Sequence, residues 1–244
     1  MRFLHSATVL SRKARRTLVV AGSVLALASG LAVLAPADAG VKNSKHDFSS
    51  SGTGGIWGTP DTDQVCIFCH TPHNAQSGAE PLWNRTNPGH TFKTYGSTTL
   101  DASVGQPTGN SRLCLSCHDG SVAIDSYVQG GSATPSMMAI GDVYYPGSPY
   151  GQGGANIGGN YGGNANVNDL SNDHPVSFTY NAALAAADGH LVDPTANATG
   201  LPLYSEKLEC ATCHDVHNQK SVAGTKLLRA ASAGSTICLK CHQK

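Results

Sequence analysis

Charge is scarce in this 244-residue sequence, and so are bulky apolar and aromatic side chains. Only 13% of the residues are charged and 6% aromatic, with three Met and two Trp. Five of the sixteen basic residues (Arg2, Arg12, Lys13, Arg15 and Arg16) crowd the N-terminus. Beyond residue 39 the balance is 11 basic against 15 acidic, a net of −4. The basic patch that a nucleic-acid partner requires is therefore missing. Leu, Ile, Val and Phe total 34 of the 205 residues from 40 onward, about 17%, below the roughly 20% at which a chain struggles to bury enough apolar surface. With 28 glycines as well, the polypeptide by itself is a poor folder, and something else must supply its interior.

Long apolar runs are missing too, with one exception at Leu18 to Ala35. It follows the basic start and ends in Pro36-Ala37-Asp38-Ala39. Basic, apolar and small-x-small in that order read as a secretory signal over residues 1–39, cleaved after Ala39. The alternative is a membrane anchor, for which the run is near the minimum length. Arg15-Arg16 fits twin-arginine export poorly, and no Cys near the cleavage point offers a lipid anchor.

What the sequence does have is cysteine in a strict pattern. All eight occur as Cys66-Ile67-Phe68-Cys69-His70, Cys114-Leu115-Ser116-Cys117-His118, Cys210-Ala211-Thr212-Cys213-His214 and Cys238-Leu239-Lys240-Cys241-His242. C-x-x-C-H is the attachment signature of c-type haem. Residues i and i+3 share one face of a helical turn, so both thiols reach one porphyrin and the following His reaches its iron as proximal ligand. Zinc sites and disulfides also use paired cysteines. Neither explains a His after every pair, a coincidence of order one in several hundred thousand at this His content. The expected cofactors are four covalently bound haem c, with His70, His118, His214 and His242 on the irons.

For the second axial position Met is the usual competitor to His. Beyond residue 39 only the adjacent Met137 and Met138 remain, too few for four irons. His46, His73, His90, His174, His190 and His217 lie outside the motifs. An internal repeat narrows them. Cys66 to Asn74 and Cys210 to Asn218 both read C-x-x-C-H-x-x-H-N, each is followed by a C-L-x-C-H motif, and each is preceded by an Asp/His pair near a Phe. Each unit then has two haems and two spare histidines. The distal set is His46 and His73 in the first unit, His174 and His217 in the second. His73, three residues after His70, cannot swing to the opposite side of the same ring and should serve a neighbouring iron, as should His217. His90 and His190 read as surface or supporting residues. Bis-histidine ligation implies low potentials.

The remaining chain is thin in regular structure. Residues 129–165 hold 11 of the 28 glycines together with Pro135, Pro146, Pro149, Tyr144, Tyr145, Tyr150 and Tyr161, and read as irregular loop. Asn181 to Ala187 reads as a short helix. The fold class expected is mostly irregular coil with short helices and few strands, organised as a multihaem cytochrome c. Its segments are the signal (1–39), a first dihaem unit (40–128), the Gly/Pro/Tyr-rich loop (129–165) and a second dihaem unit (166–244). The sequons at Asn84 and Asn197 read as chance.

Lys45-His46-Asp47-Phe48, Cys69-His70-Thr71-Pro72-His73-Asn74, Pro81-Leu82-Trp83-Asn84, Cys117-His118-Asp119-Gly120-Ser121-Val122-Ala123 and Asp173-His174-Pro175-Val176 together resemble the doubled-C-x-x-C-H multihaem cytochromes of metal-reducing bacteria. The resemblance spans nearly the whole chain after residue 39. It implies a continuous stacked chain of four haems and export to the extracellular space or outer surface. It further implies a homopolymeric conductive filament (a nanowire) with haem contact between subunits and a ligand His given across the boundary. The partners it implies are other redox cytochromes and external acceptors such as metal oxides. Arg85 departs from relatives that carry His there, and His90 is the nearest substitute. A monomeric electron shuttle is the alternative. A multihaem reductase needs an iron with an open position, and the spare histidines suffice to close all four, so catalysis is not expected.

Overall fold

The helices are few and short, and only some are capped by their own flanking side chains. In this computed structural model the described residues are 40–52, 62–77, 82–87, 89–119, 157, 168–217, 219, 221–222 and 227–243. The expected signal over residues 1–39 lies outside them, as do Met137, Met138 and, apart from Ile157, the expected loop 129–165. All described residues belong to one unit, Ala39–Lys244.

Helix α1 spans Gly109–His118 and contains the second C-x-x-C-H motif. A two-stranded antiparallel sheet pairs β1 (Phe178–Thr179) with β2 (Lys207–Leu208), Phe178 opposite Leu208. Helix α2, Ala182–Asp188, is the expected Ala-rich helix displaced by one residue. The Asn181 side chain accepts from the Leu184 N–H at 3.1 Å, and Gly189 closes the helix at φ 74, a conformation open to a residue without Cβ. Helix α3 is a single turn, Cys210–Cys213, which is the third motif itself. Three short 3₁₀ turns follow the same economy, the last being Cys238–Lys240 in the fourth motif. The rest of the described residues is coil and turn, as expected from the composition.

The interior is divided and largely polar. Among the described residues eleven apolar side chains are buried against fourteen polar or charged ones. A conventional core inverts that ratio. The apolar residues form three small clusters. Phe48 meets Phe68 edge-on at 5.5 Å, with Ile67, Cys69 and Cys117 against them. Phe92, Leu115 and Leu170 form the second. Phe178, Tyr180 and Leu208 form the third, with Cys241 at its edge. Motif cysteines thus border two of the three clusters, so whatever the thiols carry completes them.

Candidate haem-binding centre

Each C-x-x-C-H is one helical turn. The His70 N–H donates to the Cys66 carbonyl at 2.9 Å, His214 to Cys210 at 3.0 Å and His242 to Cys238 at 2.9 Å. The second motif, Cys114–His118, lies inside α1. Both sulfurs of every motif therefore lie on one face of a turn.

Three of these turns are held by the same strap. The second Cys of each accepts a backbone N–H at its carbonyl: Asn84 to Cys69 at 2.9 Å, Arg229 to Cys213 at 2.9 Å and Val192 to Cys241 at 2.8 Å. The residue after each motif His donates back two positions earlier, Thr71 to Leu82, Asp215 to Leu227 and Gln243 to His190. Between these bonds, His70 bridges Trp83, His214 bridges Leu228 and His242 bridges Leu191. Two straps add a side chain with one role. Asn84 Nδ2 donates to the Ile67 carbonyl at 2.7 Å, and Arg229 Nε donates to the Ala211 carbonyl at 2.9 Å. Ile67 and Ala211 occupy the same position between their cysteines. Leu82 and Leu227 also share a left-handed backbone, φ 57 and φ 58.

The straps were not read from the sequence. The signal was present in Leu82-Trp83-Asn84, Leu227-Leu228-Arg229 and His190-Leu191-Val192, each three residues long, but at varying distances from their motifs. They give His190, otherwise exposed, a backbone role in holding the fourth turn. Asn84 is fully buried in its strap, so the sequon beginning there is a packing feature.

The imidazoles meet in pairs. Ring centres of His46 and His118 lie 5.9 Å apart, those of His70 and His217 6.2 Å and those of His174 and His242 6.4 Å. Each pair joins one motif His to one histidine outside the motifs. An imidazole nitrogen binds a transition metal at about 2 Å, and the ring centre lies about 1 Å beyond it, so two imidazoles on opposite sides of one ion stand roughly 6 Å apart. The three spacings fit that requirement. The His70 and His217 rings are also nearly parallel, 13° apart. Burial, with His118 and His214 nearby, pushes the His46 imidazole down to about 4, which keeps it in the neutral form that ligates metal. His73 is exposed, and its backbone N–H and carbonyl close on Thr71 Oγ1.

His90 is not a member of these pairs. Its Nε2 lies 3.3 Å from the buried Asp119 carboxylate, directly after His118. Asp215 holds the equivalent place after His214, with Arg229 3.7 Å away. Arg85 is fully buried and beside the Cys117 thiol. Burial pushes the Cys69 thiol up to about 12 and that of Cys213 to about 11. These sulfurs sit where an uncharged thioether costs nothing further to bury.

Residues 203–244 match the family described as Doubled CXXCH motif. No curated protein matches the chain. The family match, with the four motifs, indicates covalently bound haem c and an electron-transfer cytochrome of the multihaem type.

Proposed function

We propose that the chain is a tetrahaem c-type cytochrome that carries electrons without performing chemistry on a substrate. The observation that carries this reading is the set of three imidazole pairs at 5.9 to 6.4 Å, each including one C-x-x-C-H histidine. When bound, haem c supplies a one-electron iron couple whose potential follows its axial ligands and surroundings. The protein's own part is to fix and shield. Cys66/Cys69, Cys114/Cys117, Cys210/Cys213 and Cys238/Cys241 would attach the four groups, with His70, His118, His214 and His242 as proximal ligands. His217 would complete the site of His70, His46 that of His118 and His174 that of His242. His73 is left for the site of His214, in the same chain or across a contact between copies. With every axial position filled by imidazole, no iron is open to substrate, which is why an enzyme is not proposed.

The same reading takes the protein outside the cell. Residues 1–39 direct export, and copies associate into an extracellular conductive filament that passes electrons to metal oxides or partner cytochromes. Exposed His73 and a sparse surface charge support assembly; a freely diffusing shuttle would be expected to carry a charged docking patch. No helix among the described residues is long and apolar enough to cross a membrane. Intact-mass measurement of protein secreted by the native host, followed by electron microscopy, tests both parts. Four haem additions and continuous fibres are expected. Fewer additions would contradict the tetrahaem reading, and scattered monomers would favour the shuttle.

A further inference from the structure

The second and third motifs meet through one buried carboxylate. Glu209 is 2% exposed and immediately precedes Cys210. It accepts from the Ser111 backbone N–H at 3.2 Å, from Ser111 Oγ, and from Ser177 Oγ at 2.8 Å. It also accepts from the Thr212 N–H, while Thr212 Oγ1 takes the Glu209 N–H at 3.0 Å, a capping box closed around α3. Ser111 Oγ in turn accepts the Cys210 N–H at 3.0 Å. Four donors converge on the carboxylate, the Ser111 and Thr212 N–H groups and the Ser111 and Ser177 hydroxyls, so a buried acid costs little here. The arrangement welds the first turn of α1 to α3 across 98 residues of sequence. Gly109 leaves room for it, since a Cβ there would lie 3.1 Å from Glu209 Oε1, on a backbone at φ +48. One turn further along α1, the Cys114 side chain is a near neighbour of Cys210.

We propose that Glu209 is a positioning residue for the junction of the two halves, holding Cys114 and Cys210 side by side so that the redox groups attached to them are direct neighbours in the electron path. The inference rests on the reading of the motifs as haem c sites. It goes beyond that reading by naming the place where electrons cross between the first and second dihaem units and the side chain that fixes it. Other groups near these cysteines do not substitute for it. Arg85 and Asp119 act on Cys117, and Arg229 on Cys213, the second cysteine of each motif.

The test uses full-length holoprotein. Peptide mass mapping of the wild type first establishes haem at Cys114/Cys117 and Cys210/Cys213; its absence from either would overturn both this proposal and the tetrahaem reading. Glu209→Gln keeps the shape but turns an acceptor into a donor facing donors. It should retain four low-spin haems and shift two of the four reduction potentials. Glu209→Asp should recover part of that shift. Ser177→Ala, which removes one donor far from every motif in sequence, should move the same two potentials less. Loss of fold does not rescue the idea, because Ser177→Ala then decides alone. Unchanged potentials in Glu209→Gln, or in Ser177→Ala if only that variant folds, would overturn the positioning role while leaving four haems in place. An equal shift of all four would overturn it as well.

Discussion

His70 and His217 lie ring against ring, 6.2 Å between centres and 13° from parallel, although they come from opposite halves of the chain. His70 follows the first pair of cysteines, and His217 is the histidine three residues beyond the third motif. The two halves thus close on one another at a site that neither can complete. This is the strongest geometric reason for reading the spare histidines as ligands.

His217→Ala should therefore leave all haem covalently attached while converting one iron to high spin. His73→Ala should do the same to a different iron. Visible absorption and electron paramagnetic resonance of the purified variants check this. A fully low-spin spectrum in His217→Ala would exclude its pairing with His70.

Asn84→Ala should destabilise the first motif. Its buried amide satisfies the Ile67 carbonyl, and removal leaves that acceptor unpaired, at a cost of about 1–3 kcal/mol. A lowered denaturant midpoint with unchanged haem content is the expected result. Ligation should be spared, because the Asn84 amide bonds the turn's backbone at Ile67.

Phe68→Ala should cost more, about 3–5 kcal/mol, since Phe68 is 1% exposed and packs edge-on against Phe48. Its cluster is one of three small ones and has no reserve. Equilibrium unfolding followed by Soret absorption gives the number.

Leu82→Gly should go the other way. Leu82 holds φ 57 and is 54% exposed, so the strap pays for a left-handed backbone with little burial in return. Relief of about 1–2 kcal/mol of strain, less about 0.4–1 kcal/mol of added freedom in the unfolded chain, leaves a net gain of up to about 1.6 kcal/mol. A raised thermal midpoint is expected.

Much of this was legible in the sequence because the chemistry is local. A C-x-x-C-H needs five consecutive residues, and the turn it forms is closed by its own backbone. The Ala-rich helix at Ala182–Asp188 was legible for the same reason, with Asn181 and Gly189 as its ends. The scarcity of apolar residues foretold a coil-rich chain; that its interior is divided and largely polar appears only in the fold. The straps were not legible, since Leu82, His190 and Leu227 act through backbone groups whose partners lie at unrelated distances along the chain. Glu209 was hidden for a different reason. A carboxylate in a sequence reads as surface, and only the fold reveals that Ser111 and Ser177 converge on it. Of the distal histidines, His46, His174 and His217 each face a motif imidazole, whereas His73 stands exposed. The repeat alone could not separate these cases.

Near-infrared magnetic circular dichroism of the oxidised native protein, calibrated to haem per chain, counts irons by their axial ligands. The account predicts four bis-imidazole irons and no other class. A chain with fewer than four such irons, or with Met-ligated or open irons at the motif histidines, would contradict it.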